Sequence, residues 1–555
     1  MSRDSIKMVA MLTMLINHIA NVFLPAGQPL TNLCLCIGYF TAVTMCFFLV
    51  EGYGCTRSKR RYAGRLLGFA VLAQLPYQLA FPANGIAGFV QFNMLFTLLL
   101  CFLVLLVQEK IRDRVLRGVC IVLLICASLF CDWALLAPVF TLLFAWAGGN
   151  RTRQKAAFGA AALLYGGMAG LGSGQVWEAV GCAVPILVSA FVILYLYNGR
   201  RAARGRTFYK WFFYAFYPAH LLVLGLLSMP FLALLPASHP LAVPSWLLTL
   251  SGKILCYAIV AVALDLVWGY AGMLSLGHGI FFALGGYAMG MYLMRQAAGD
   301  GLPAFMSFLS WSELPWFWWG TQHFAWAMAL VVLVPGLLAL VFGWFAFRSK
   351  IKGVYFSIMT QALTYAGMLL FFRNETGFGG NNGFTGFTTL LGFPVTATGT
   401  RATLFMATVL LLLLTLWLGS ALAQSKFGRI LTAVRDAENR LMFCGYDPRG
   451  FKLLVWTLSA VLCGLAGALY VPQVGIINPS EMSPTNSIEA AIWVALGGRG
   501  TLIGPVLGAG LVNGAKSIFT VAMPEYWQLF LGLIFIIVTL FLPRGVMGLL
   551  RRGDR

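Results

Sequence analysis

Apolar runs long enough to cross a lipid bilayer recur from one end of this chain to the other, and no other feature narrows its fold as much. Hydrocarbon about 30 Å thick needs roughly 17–25 apolar residues in a helix. Runs of about that order lie at 6–24, 31–50, 63–81, 89–107, 117–131, 133–147, 156–171, 178–197 and 211–235. Further runs lie at 253–272, 276–294, 324–347, 354–372, 403–423 and 453–471, followed by a broken pair near 488–521 and a last run at 526–543. Lipid offers no hydrogen bonds, so each crossing segment must satisfy its own backbone as a helix. The reading is an all-α polytopic membrane protein of about 17 transmembrane or re-entrant helical spans. The first run has no small-residue cleavage site after it and reads as a retained helix.

Charge placement orients the spans. The net charge is +21, yet only 10% of the 555 residues are charged, where a soluble protein carries about a quarter. Lys and Arg cluster in alternate loops: RSKRR at 57–61, EKIRDRVLR at 109–117, NRTRQK at 150–155, NGRRAARGR at 198–206, FRSKIK at 347–352 and RRGDR at the end. The loops between them, such as PAGQP at 25–29, PANGIAG at 82–88 and ASHPLAVPSW at 237–246, hold almost none. This is the positive-inside pattern, and it predicts both termini in the cytoplasm. The basic residues are thereby assigned to lipid and water, not to nucleic acid. The twelve cysteines show no zinc spacing and no metal is expected. They read as small buried hydrophobes.

The stretch SKFGRILTAVRDAENRLMFCGYDPRGFK, 425–452, holds nine charged residues in 28 positions between two apolar runs. At the centre of a spanning helix each would cost about 2.5–3.5 kcal/mol, on the order of 20 kcal/mol or more together. It must therefore lie in water. Ile430, Val434, Ala437 and Leu441 give it one apolar helical face, and Asp436 with Arg440 is expected as an i,i+4 pair. Gly445 suits the helix end and Asp447-Pro448 the turn after it. Small residues repeat at four-residue spacing in Gly286/Gly290, Gly500/Gly504/Gly508, Gly510/Gly514 and Ala460/Gly464/Ala468. Such spacing allows close helix packing.

The segment VRDAENRLMFCGYDPRGFKLLVWTLSAVLCGLAGALY resembles the coupling-helix region of ABC importer permeases of the branched-chain amino acid and urea group. The stretches at 255–294, TGFGGNNGFTGF at 376–387 and VALGGRGTLIGPVLGA at 494–509 are similar to the same group in order and spacing. GLPAFMSFLSWSELPWFW at 301–318 and GGNN at 379–382 look like its urea branch, although Gly386 stands where that branch usually has Asp. The resemblance covers about 225–550 and implies a second permease subunit, two cytoplasmic ATPase subunits and an extracytoplasmic solute-binding protein as partners. It also implies that Arg435, Asp436, Glu438, Asn439, Arg440 and Gly445 meet the ATPases. The chain has no GxxxxGK[ST] loop, so no cofactor is expected on it and ATP is used by the partners.

Candidate path residues for a small neutral solute are Asn381, Asn382 and Thr385 in a Gly-rich extracytoplasmic segment, with Ser275 and His278 at the Gly-bracketed break GMLSLGHG. Asp265 lies inside an apolar helix, where ionisable groups face the bundle interior. Each has a second reading. His278 serves equally as a hydrogen-bonded structural histidine, the Asn pair as a loop cap, and Asp265 as half of a structural pair. The aromatics of WSELPWFWW read as an interfacial belt.

The first part resembles a different family. IKMVAMLTMLINHIANVFLP, CFFLVEGYGCTRSKRRYAGRLLGFAVLAQLPYQLAF and KWFFYAFYPAHLLVLGLL are similar to TraX proteins over about 5–228. The founding TraX member is described as a pilin acetylase, so the resemblance implies a membrane acyltransferase. His18, Glu51 and His220 are its candidate groups, with a histidine taking the proton of an attacking amine or hydroxyl. The family often has Asp before the first His, and here that residue is Asn17. The other reading is three buried polar groups bonded to one another. The expected domains are therefore a TraX-like module at 1–228 and a permease at 229–555, with the span 211–235 shared. The permease is expected to move urea. The alternatives are branched-chain amino acids, or an acyltransferase whose C-terminal half is a scaffold.

Overall fold

The computed structural model describes residues 1–551 except 26, 82–84, 87, 88, 203–205, 236–242, 300, 352, 527, 528, 530, 534, 535, 537–539 and 541–544. The expected loop PANGIAG, the span 526–543 and the basic C-terminal stretch lie partly or mostly outside the described residues. The chain divides into two units, Met1–Met229 and Pro230–Arg555.

The N-terminal unit is helical: α1 Arg3–Phe23, α2 Pro29–Gly54, α3 Lys59–Ala80, α4 Met94–Lys110, α5 Arg114–Ala127, α6 Leu136–Ala147, α7 Arg151–Ser173, α8 Val176–Phe191 and α9 Arg206–Ala233. The division between the units falls inside α9. Side-chain caps begin several of these helices. Ser2 Oγ accepts from the Ser5 amide, Asn93 from Leu95 and Asn150 from Thr152 and Arg153, satisfying donors with no partner inside the helix. The runs 117–131 and 133–147 form helices of only 14 and 12 residues. The chain between them is taken up by a turn in which Trp133 and Leu135 sit at positive φ and Leu135 N donates to Ser128 Oγ.

The C-terminal unit comprises α10 Ser245–Asp265, α11 His278–Ala298, α12 Ala304–Phe308, α13 Phe324–Arg348, α14 Val354–Phe372, α15 Thr398–Gln424, α16 Lys426–Phe443, α17 Pro448–Val474, α18 Pro484–Gly497, α19 Ile503–Ala522 and α20 Gly545–Arg551. Among the described residues, nine helices of the chain are long and apolar enough to cross a membrane. Their outward faces stay apolar, as lipid requires. Along α13, Leu333, Leu337, Leu340, Val341 and Trp344 are all exposed.

The core of this unit is built where glycine removes the side chain between helices. A Cβ on Gly285 of α11 would stand 2.1 Å from the Gly464 carbonyl of α17, and one on Gly464 would stand 2.6 Å from the Val331 carbonyl of α13. The stripe Ala460/Gly464/Ala468 is thus a packing face. Gly508 approaches the Trp493 carbonyl in the same way, whereas no atom lies within 4 Å of a Cβ at Gly510 or Gly514. A two-stranded antiparallel ladder pairs Phe384 with Ile477 and Thr385 with Ile476. Of the cysteines, Cys46, Cys101, Cys131, Cys256 and Cys463 are buried as expected, but Cys55, Cys126 and Cys444 are exposed.

Candidate functional site

The charged stretch folds as α16, capped by Ser425 Oγ accepting from the Gly428 amide. Its first half buries Gly428, Leu431 and Val434, so of the expected apolar face only Val434 is buried, with Ile430, Ala437 and Leu441 half-buried. The second half departs from a single helix. Ala437 leaves helical geometry at φ −157° and ψ 61°, so the i,i+4 pair of Asp436 and Arg440 does not form. Asp436 instead accepts from its neighbour Arg435 at 2.8 and 3.2 Å, and those bonds hold its carboxyl below the ordinary aspartate value. Glu438 pairs with Lys452 at 2.6 Å. Asn439, Arg440 and Gly445 are exposed. Gly445 takes φ 84° just past the helix, and Asp447 then caps α17 ahead of Pro448.

Arg435 reaches inward as well. Its Nη1 donates to the Gly269 carbonyl at 2.7 Å, in the π-helical turn Leu266–Tyr270 that ends α10. Asp265, fully buried, sits one turn earlier. Its two oxygens accept from the amides of Gly500 at 2.7 Å and Leu502 at 3.2 Å. The loop between α18 and α19 is therefore tied to α10, and α10 to α16. Asp265 pairs with backbone in this cluster and meets none of the other candidate path residues.

Ser275 and His278 are also buried in a structural network. His278 bonds Ser275 Oγ at 3.1 Å and Ser459 Oγ of α17 at 2.6 Å. The break before α11 is further pinned to α14, because Leu276 N donates to Thr360 Oγ1 and Ser357 Oγ to the Leu274 carbonyl. Asn381, Asn382 and Thr385 are exposed. Their segment is held by Gly383, at φ 64°, where a Cβ would stand 2.0 Å from the Ile477 carbonyl. Among the aromatics, Trp316 and Trp319 are exposed, while Trp318 is buried and donates to the Gly377 carbonyl.

A cavity of about 40 Å³ lies elsewhere in this unit, lined among others by Tyr257, Glu481, Asn486, Glu489, Trp493 and Lys516. Lys516 Nζ bonds both oxygens of the buried Glu489, at 2.9 and 3.2 Å. The Tyr470 hydroxyl donates to Glu481 Oε1 at 3.0 Å. Trp493 Nε1 and Ser487 Oγ are buried without a hydrogen-bond partner among the described residues. Sequence reasoning missed this site. Its available signal was Glu489 and Lys516, two ionisable residues within the broken apolar pair 488–521.

In the N-terminal unit, His18 and His220 come together and Glu51 does not join them. His18 Nδ1 lies 2.8 Å from His220 Nε2, and His220 Nδ1 lies 2.8 Å from the Phe216 carbonyl. A carbonyl only accepts, so His220 Nδ1 carries hydrogen and, in the neutral ring, its Nε2 accepts from His18 Nδ1–H. The lone pair of His18 is thereby left on Nε2. Glu51 is bound by Arg3 at 3.1 Å and by the Tyr197 hydroxyl at 2.7 Å. Arg3 and His18 are separated by about 22 Å of helix at 1.5 Å per residue. Asn17 donates to the Leu35 carbonyl of α2 and does not orient a histidine. Beside the pair, Tyr217 accepts from the Met94 amide. Gln74, Gln78, Gln91 and Asn93 form a further polar belt, unrecognised in the sequence although Gln74 and Gln78 share a helical face.

Known proteins resemble the two units separately. The family described as TraX protein matches residues 2–228, and that described as branched-chain amino acid transport system / permease component matches 246–539. A probable fimbrial assembly protein FimC of Dichelobacter nodosus is 33% identical over 234 residues, 40% of this chain and 94% of the relative. The high-affinity branched-chain amino acid transport system permease protein LivM of Escherichia coli is 24% identical over 344 residues, 58% of this chain and 74% of the relative. An autoinducer 2 import system permease protein LsrC of Yersinia pestis is 30% identical over 141 residues, 24% of this chain and 39% of the relative. No solved structure matches. The chain thus belongs to two families, TraX through its N-terminal part and the branched-chain amino acid transport permeases through its C-terminal part.

Proposed function

We propose that this chain is a permease subunit of an ABC importer for urea in a bacterial inner membrane. It works beside a second permease subunit, with two cytoplasmic ATPases docking on α16 and an extracytoplasmic binding protein delivering solute. One observation carries the reading. Arg435 of the charged helix α16 is bonded to Gly269, beside the Asp265 that holds the 498–502 loop. A displacement of α16 is thereby transmitted to α10, α18 and α19 through short polar contacts. Urea is supported by the segments at 301–318 and 379–382. The similarity to LivM proteins of branched-chain amino acid transport favours those amino acids as the rival solute.

Vesicles holding the chain and its partners will take up labelled urea over leucine when ATP is supplied, and leucine preference would remove the urea assignment. In the same vesicles Glu438→Lys will place like charges against Lys452 in a largely buried pair. Uptake will fall at least about tenfold, since breaking a buried pair costs about 3–5 kcal/mol. Adding Lys452→Glu will restore it. Normal uptake in the single variant would count against coupling through this end of α16.

A second activity is supported for the N-terminal unit by the oriented histidine pair. His18 Nε2 takes the proton of an attacking amine or hydroxyl in acyl transfer, while His220 fixes the ring. With a labelled acetyl donor supplied to membranes, His18→Ala will lower incorporation by about 100-fold, the lower range for a general base. Unchanged incorporation would end the general-base assignment.

A further inference from the structure

We propose that the cavity beside Glu481 and Trp493 is the solute-binding site of the permease unit, built for a small planar amide with N–H donors on either side of one carbonyl. The proposal rests on the transport reading above and adds the groups that recognise the solute.

The lining holds one acceptor and one donor that the fold leaves unused. Tyr470 occupies one oxygen of Glu481, and the other accepts no hydrogen bond among the described residues. Trp493 Nε1, on a residue 4% exposed, donates to nothing among the described residues. Buried polar groups are ordinarily paired, and the exception at Trp493 Nε1 calls for an explanation such as a ligand, whereas the open oxygen belongs to a half-buried Glu481. The second carboxylate is not equivalent. Both oxygens of Glu489 face Lys516, so this pair supplies polarity without a net charge. A planar amide satisfies the open groups in a complementary way, with its N–H to Glu481 and its carbonyl to Trp493.

Size favours the smaller solute class. The cavity measures about 40 Å³, and a water-sized atom needs roughly 10–15 Å³ of such space. It therefore admits about three or four heavy atoms. Urea is of that size, and leucine is more than twice as large. Tyr257 and Trp493, whose rings pack on each other with centroids 5.1 Å apart and a 34° tilt, both line the space.

The test is uptake of labelled urea by the complete importer in vesicles, as a function of urea concentration. Trp493→Phe deletes the unpaired donor and also shortens the buried indole to a phenyl ring, so melting of the detergent-solubilised protein is measured alongside and half-saturation is read on folded protein. Half-saturation will rise about tenfold, the effect of one hydrogen bond to a buried group. Glu481→Gln will raise it as well. Formamide will compete with urea, and leucine and ammonium will not. Urea uptake indifferent to both substitutions would overturn the site while leaving the importer assignment standing. Competition by leucine or ammonium as strong as by formamide would overturn the solute class. No ATP-driven uptake of any solute by the unsubstituted complex would instead remove the transport reading itself.

Discussion

Asp265→Ala is expected to abolish uptake and to destabilise the C-terminal unit by about 1–3 kcal/mol or more, because the buried Leu502 amide loses an acceptor worth about 1–3 kcal/mol and the part-buried Gly500 amide loses one too. The carboxylate is fully buried and accepts from Gly500 and Leu502. Space around it is too tight for other groups to replace it. A Cβ on Gly269 would stand 2.2 Å from Asp265 Oδ1 and 2.5 Å from the Gly500 amide. The functional loss has a separate cause. Gly269 is also the acceptor for Arg435, so freeing the 498–502 loop disconnects α16 from α18 and α19 even in molecules that remain folded. Asp265→Asn retains one acceptor oxygen but turns amide hydrogens toward a backbone donor, and will fall between the parent and the alanine variant. Thermal unfolding in detergent and ATP-driven uptake in vesicles measure the two effects. An alanine variant that transports normally would show that the network is not the route of coupling.

What could be read from sequence follows how local the cause is. The helical architecture was legible because lipid imposes one requirement on every crossing segment. The placement of the stretch 425–452 outside lipid was legible because nine charges are too costly to carry across it. Its kink at Ala437 was not, since neither Gly nor Pro marks the position. On either side, Arg435 is held to Gly269 and Glu438 to Lys452, and these contacts are distant in sequence. The continuous apolar stretch 117–147 concealed the short helices α5 and α6, because the turn between them is tied by Ser128. The histidine pair was half legible. Both residues stood out as polar groups in apolar helices, but only the fold separates Glu51 from them. The cavity was least legible. Its groups come from positions 257, 481, 489, 493 and 516, and the visibly polar Asn381 and Asn382 drew attention to an exposed segment instead.

Gly467→Ala will strongly destabilise the packing of α17 on α11. Its Cβ would stand 1.9 Å from the Phe282 carbonyl oxygen, 2.9 Å from the carbonyl carbon and 3.0 Å from the Gly286 amide. All three are backbone atoms of α11, so no rotamer change relieves the clash and the two helices must move apart. In lipid their association has no hydrophobic drive and depends on close packing of this kind. Separation would also draw Gly464 away from Gly285, and with it the contact to α13. Overpacking ordinarily costs about 1–3 kcal/mol. With no side chain able to yield, the loss here will exceed about 3 kcal/mol, despite the roughly 1 kcal/mol by which Ala favours a helix over Gly. Gly510→Ala and Gly514→Ala are the matched controls. Nothing lies within 4 Å of either added methyl, so thermal unfolding in detergent should find both at least as stable as the parent. If Gly467→Ala unfolds at the same temperature as these controls, α11 and α17 are not in backbone contact, and α11, which lines the cavity through Gly279 and Phe282, is arranged differently.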